Sequence, residues 1–166
     1  ASDVSATEAL AVEKASHQIM SVINAFAAAV EGSGASQSDS FKTALGSVVE
    51  VIKVNAAANT TIDLASNTDL NSIKTQVLQD VTNVINANVT AFNDMADSTT
   101  TAIFNVNAKI NNVTDIGSAS AKNVFSTAQV LTVQVKDGVA AEVTAAGTGT
   151  LDFTVLSQVE AAGNNI

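Results

Sequence analysis

The sequence predicts an all-α protein, an antiparallel bundle of four to six helices with short extended connectors, forming one domain over residues 1–166. Three observations carry this expectation. Apolar residues recur at steps of three and four, which stacks them on one face of a helix. Clusters of Ser, Asp, Asn and Thr with capping spacing stand before these runs. The composition is 46% hydrophobic but only 4% aromatic, so the core is built from Ala, Val, Ile and Leu with a few Phe. Such small residues let helices approach closely. Bundles of this kind cross at about 20°.

Ser5-Ala6-Thr7-Glu8 has the capping-box spacing and opens the first helix. Val12, Ile19, Ile23, Phe26 and Val30 form its inward face, and Gly32-Ser33-Gly34 stops it. Ser38-Asp39-Ser40 starts a second helix with Phe41, Leu45, Val48, Val49 and Ile52 on one face, ending near Asn55–Asn59. Thr60–Leu64 alternates and reads as an extended connector that tucks Ile62 and Leu64 inward. Asn67-Thr68-Asp69 caps the third helix, whose stripe of Leu70, Ile73, Val77, Val81, Val84, Ile85, Val89 and Phe92 continues for ~35 Å at 1.5 Å per residue.

Asp97-Ser98-Thr99 offers a break and a fresh cap before a fourth helix carrying Ile103, Phe104, Val106, Ile110 and Val113; one long kinked helix is the competing reading. After a loop at 114–118, a fifth helix places Val124, Phe125, Ala128, Leu131, Val135, Val139 and Val143 inward, although β-branched Val130, Val133 and Val135 leave a local strand alternative. Gly147-Thr148-Gly149 ends it, and a short closing helical turn runs through Val159. Residues 58–64 and 146–153 share a small-residue helix exit followed by Thr, an aliphatic residue, Asp and an apolar residue, an echo that leaves a short structural repeat open.

The chain has no Cys, Pro, Trp, Tyr or Arg and one His. Catalysis would have to use carboxylates, lysines, hydroxyls and His17, and no spacing of these residues points to a reaction. Seven lysines against sixteen acidic residues give a net charge of −9. The lysines are scattered singly, so neither nucleic acid nor an anionic membrane surface is an expected partner. No run approaches the ~20 apolar residues of a membrane span, and no export leader opens the chain. Absence of Cys removes disulfides and thiolate metal sites. Self-repulsion predicts that any association strengthens with salt or with acidification toward the pI near 4.2.

His17 and Met20 lie one turn apart on the same helix and cannot straddle a haem, so His17 reads as an ordinary helix histidine. Asn67-x-Asp69-x-Asn71 resembles the opening of a calcium loop, yet Ser72 stands where the turn needs Gly and Leu78 where a bidentate Glu belongs. The helix-cap reading is the better one. Asp63, Asp69 and Asp152, all in connectors, are the weak calcium candidates that remain; no other metal and no cofactor is expected. Glycine pairs Gly32/Gly34 and Gly147/Gly149 lack the Lys of a phosphate loop and read as helix terminators. Three Asn-x-Thr acceptor patterns begin at Asn59, Asn88 and Asn112, as a chain rich in both residues produces by chance. Helix faces opposite the apolar stripes carry uncharged Asn83, Asn86, Asn93, Asn105, Asn107 and Asn111, which suits packing against copies or neighbouring domains.

From Ile62-Asp63-Leu64 to Ile85-Asn86-Ala87, and from Ala128-Gln129-Val130 to Thr150-Leu151-Asp152, the chain resembles the Ala-rich helical segments of very large bacterial surface and type I-secreted proteins, the RTX-type adhesins and calcium-binding exoproteins. It lacks their Gly-Gly-x-Gly-x-Asp nonapeptides, so calcium binding of that type does not transfer. The resemblance implies a spacer or interaction domain of an extracellular protein. The leading expectation is therefore a non-enzymatic structural or interaction module at a bacterial surface or in a secreted protein, with protein partners or copies of itself. A self-assembling filament or sheath subunit is the alternative, followed by a small-ligand carrier using the bundle interior.

Overall fold

The computed structural model describes residues 5–115 and 117–148. Five helices follow in order: α1 (Ala6–Gly32), α2 (Gln37–Ala57), α3 (Asn67–Val81), α4 (Val89–Asn111) and α5 (Ala119–Thr148). No strand occurs among the described residues, and the helices form the bundle that the sequence predicts. The closing turn through Val159, Asp152 and most of the second copy of the 58–64 echo lie outside the described residues.

Local chemistry sets most helix ends. Ser5 caps α1 in a complete capping box with Glu8. Ser36, two residues before the expected start, caps α2, because its Oγ accepts the Asp39 N–H at 3.1 Å and donates to Asp39 Oδ2 at 2.8 Å. Ser66 caps α3, and Asn88 caps α4 by accepting the Ala91 N–H at 3.0 Å.

The long stripe from Leu70 to Phe92 is not one helix. It stops at Val81, turns through residues 82–88 and restarts at Val89. Asn86 sits at φ +65, a left-handed conformation that Asn tolerates better than other non-glycine residues. Once the chain turns there and Asn88 supplies a cap, Ile85 is left exposed. The expected break at Asp97-Ser98-Thr99 is instead mid-helix, with Ser98, Thr99 and Thr100 buried inside α4. The Thr100 hydroxyl donates to the Ala96 carbonyl at 2.8 Å, which satisfies a buried hydroxyl without interrupting the helix. In α5, the local strand alternative gives way to helix throughout, with Leu131, Val135 and Val139 buried and Val130 and Val133 exposed.

Helix α1 packs against α2, α4 and α5, while α2–α3, α3–α4 and α4–α5 complete the contacts. Helices α1 to α4 thus close a ring, and α5 lies along its α1–α4 edge. Successive helices alternate in direction. Lys14 Nζ donates to the Asn111 carbonyl at 2.8 Å and Gln18 Nε2 to the Asn107 carbonyl at 3.1 Å, the falling register of an antiparallel α1–α4 pair. Helix α5, fifth in the alternation, runs parallel to α1: His17 stacks on Phe125, and Gly32 lies against the backbone at Lys136 and Ala140.

The core is filled by Phe26, Phe92, Leu70, Ile73, Met95 and Ile103, with Leu64 and half-buried Ile62 tucked in from the connector as expected. Besides Ile85, Val89 at the start of α4 is exposed, and inward assignments on α1 and α2 are corrected. Val12 is 65% exposed, because Lys14 already reaches the last residue of α4 and earlier turns of α1 have no α4 surface beside them. On α2 the inward residues are Ser40, Ala44, Ser47, Val48 and Val51, and Phe41, Leu45 and Val49 are left exposed. Small residues bring α2 close to its neighbours, and the buried hydroxyl of Ser40 returns to the Ser36 carbonyl at 2.7 Å.

Candidate functional site

The residues able to do chemistry are distributed, and the fold uses most of them to hold helices. The imidazole of His17 lies flat on Phe125, with ring centroids 3.8 Å apart and 4° between planes. Its Nε2 meets Glu13 Oε1 at 3.1 Å, one turn back on α1. The adjacent Ser16 hydroxyl donates to the Val12 carbonyl at 2.8 Å, so it is turned to the backbone and not toward the ring. Half-buried stacking plus one carboxylate describes a packing histidine that ties α5 to α1.

Asp63 and Asp69, two of the three calcium candidates, are brought together where the α2–α3 connector meets α3; Asp69, expected in a connector, stands instead in the first turn of α3. Their oxygens serve the backbone. Asp69 Oδ2 accepts the Asp63 N–H at 2.7 Å, and Asp63 Oδ1 accepts the Ala65 N–H at 2.9 Å. These bonds close the turn that delivers Leu64 to the core and leads into α3. The third candidate, Asp152, lies outside the described residues. No group of three or more His or carboxylate side chains gathers in metal-binding geometry among the described residues.

A cleft of about 280 Å³ between α2 and the α3–α4 turn is lined by Asp39, Lys42, Thr43, Asp80 and Asn83. Asp80 forms its floor and links two helices: Oδ2 accepts the buried Ser47 hydroxyl at 2.6 Å and Oδ1 accepts Gln76 Nε2 at 3.0 Å. A smaller cleft of about 120 Å³ runs over α1, between Phe41 of α2 and Thr132 of α5. Neither contains His17.

The uncharged amide faces divide on inspection. Asn93 and Asn111 are exposed on α4 and Asn105 is half-buried, whereas Asn83 and Asn86 belong to the α3–α4 turn. Asn107, expected on an outer face, is fully buried. Its Nδ2 donates to the Leu64 carbonyl at 2.8 Å, so it ties the connector to the bundle.

The surface that sequence reasoning missed is the outer side of α2. Phe41, Leu45 and Val49 were placed inward by their spacing, and the fold turns them out. Beside them stand Asp39, Lys42, Glu50 and Lys53, joined as i,i+3 pairs at 3.9 and 3.7 Å. The signal was available in the sequence, since all four charges lie on one helical face that the core cannot accept. No family model, curated protein or solved structure matches the chain.

Proposed function

We propose that the chain is a non-enzymatic structural or interaction module of an extracellular bacterial surface or secreted protein. The observation that carries this reading is the outward presentation of Phe41, Leu45 and Val49 on a bundle whose Ser, Asp and His side chains serve as caps and interhelical ties. A row of outward apolar side chains is a feature of contact surfaces. The compositional resemblance to Ala-rich segments of secreted proteins, the acidity and the absence of Cys support the extracellular setting. Reading the complete gene tests it. An export signal and further surface-type domains agree with the proposal; a short intracellular reading frame contradicts it.

Assembly into a filament or sheath is the second reading, favoured by the exposed Asn93 and Asn111 beside exposed Thr90 and Thr101 on α4, which can hydrogen-bond between copies without desolvating full charges. Electron microscopy separates the two, because a filament subunit forms regular polymers.

A further inference from the structure

The outer face of α2 carries a glycine that its own fold leaves unexplained, set among charges that also pair along the helix as Asp39–Lys42 and Glu50–Lys53. Gly46 stands in the middle of the helix, exposed, and a Cβ added there would meet nothing within 4 Å. Glycine in a helix interior costs about 1 kcal/mol relative to alanine, and neither a positive φ nor a close intramolecular neighbour accounts for it. The charges around it are arranged symmetrically. Lys42 and Glu50 lie four residues to either side, ~6 Å along the axis, and Asp39 and Lys53 seven residues to either side, ~10 Å. Read outward from Gly46, every acid on one side matches a lysine at the same distance on the other.

We propose that α2 is a two-fold, antiparallel self-association face, with Gly46 of one copy crossing Gly46 of the other. The proposal rests on the interaction-module reading and names its partner, a second copy of this chain. In that arrangement Lys42 faces Glu50 of the partner subunit and Asp39 faces Lys53 of the partner subunit, and the two-fold axis repeats both pairs. A parallel, in-register pairing would set each charge against its own sign. The pattern therefore selects one orientation, as isologous contacts require.

Glycine at the crossing removes the side chain that would hold the helix axes apart, and usual interaxial distances are about 8–10 Å. Leu45 and Val49, each exposed at 38%, lie along one flank of the face, while Phe41 stands further round the helix, toward the cleft over α1. The two-fold axis brings this flank against the same flank of the partner, covering apolar surface that the monomer leaves in water. Two acids and two lysines make α2 neutral in a chain of net charge −9, so the contact itself adds no net like-charge repulsion. Surface ion pairs contribute little affinity; here they set direction, and the apolar flank supplies the attraction.

The test is sedimentation equilibrium of the intact chain at 0.15 M salt, up to about 1 mM protein, the range in which one helical face associates measurably. The wild type should form a dimer and no larger species through this face. Gly46→Gln should raise the dimer dissociation constant about tenfold or more while raising the monomer unfolding midpoint, because a better helix former enters open space. Lys42→Glu should weaken the dimer, and Lys42→Glu/Glu50→Lys should restore it. A strictly monomeric wild type overturns the pairing, as does a dimer indifferent to Gly46→Gln or one that the double exchange fails to restore. None of those outcomes touches the extracellular-module reading, which stands or falls on the gene and on cell labelling.

Discussion

Asn107 Nδ2 donates to the Leu64 carbonyl at 2.8 Å from a fully buried position on α4. The same Nδ2 reaches toward the Gln18 carbonyl at 3.5 Å, while Gln18 Nε2 returns a bond to the Asn107 carbonyl at 3.1 Å. One amide therefore ties α1, α4 and the α2–α3 connector together at one end of the bundle. The side-chain carbonyl of Asn107 has no partner, so the residue acts here through its donors. Asn107→Leu should cost about 1–3 kcal/mol, the penalty for leaving a buried carbonyl unpaired. Asn107→Asp should cost more, since an ionised carboxylate has no donor and would face carbonyl oxygens. Urea unfolding of both variants checks the order; an Asp variant as stable as wild type would refute the donor role.

Gly32, at the end of α1, and Gly46, in the middle of α2, should respond in opposite directions to an added methyl group. A Cβ on Gly32 would fall inside contact distance of the Lys136 carbonyl oxygen and 3.1 Å from Val139 Cβ, so α1 and α5 would have to move apart. Gly32→Ala should destabilise by about 1–3 kcal/mol. Gly46→Ala meets open space and should stabilise the monomer by roughly 0.5–1 kcal/mol through helix propensity. Thermal unfolding of the pair checks the α1–α5 approach directly.

The α3–α4 break should be fixed by two asparagines. Asn86→Gly, at φ +65, should be neutral or slightly stabilising, while Asn86→Val should cost about 1–2 kcal/mol because a β-branched residue resists the left-handed region. Asn88→Ala removes the cap of α4 and should cost about 0.5–2 kcal/mol. If Asn86→Val instead raised helicity in circular dichroism without loss of stability, the turn would not be the preferred state of this sequence.

Glu8 makes the α1 terminus pH-sensitive. The Ser5 backbone N–H donates to its carboxylate at 2.9 Å and the Ser5 hydroxyl at 2.8 Å, and these bonds hold its pKa below the ordinary glutamate value, the backbone bond contributing most. The folded value lies below the unfolded one. The capping contribution is therefore fully present above the ordinary glutamate range and is lost as pH falls through the depressed folded value. Carboxyl NMR titration should show Glu8 titrating below the ordinary glutamate value, with faster amide exchange in the first turn of α1 at acid pH. In Glu8→Gln the exchange should no longer follow this titration.

What the sequence disclosed depended on how local the cause was. The start of α1 was legible because Ser5 and Glu8 cap each other within one turn, and its end because Gly32-Ser33-Gly34 breaks the repeat. The α3–α4 break was hidden because apolar residues from Leu70 to Phe92 stay nearly in phase across it, and periodicity does not register a turn that preserves phase. Asn86 and Asn88 carried the information as residues suited to a left-handed turn and a cap. On α2 two stripes competed, the larger Phe41, Leu45 and Val49 and the smaller Ser40, Ala44, Ser47, Val48 and Val51. Hydrophobicity favours the first, but close packing against α1 and α3 selects the second, a tertiary decision that one helix cannot reveal. The Asp63–Asp69 pairing was half legible: Asp63 lies in the connector as expected, whereas Asp69 stands in the first turn of α3, and only the fold shows their oxygens bonded to backbone N–H groups.

The measurement that bears most directly on the proposed role is labelling of intact source cells with an antibody to this chain, scored together with the culture medium and with a cytoplasmic marker as control. A surface or secreted module should be labelled, or recovered from the medium, while the cytoplasmic marker stays protected. Labelling that appears only after lysis, in step with the cytoplasmic marker, would contradict the account.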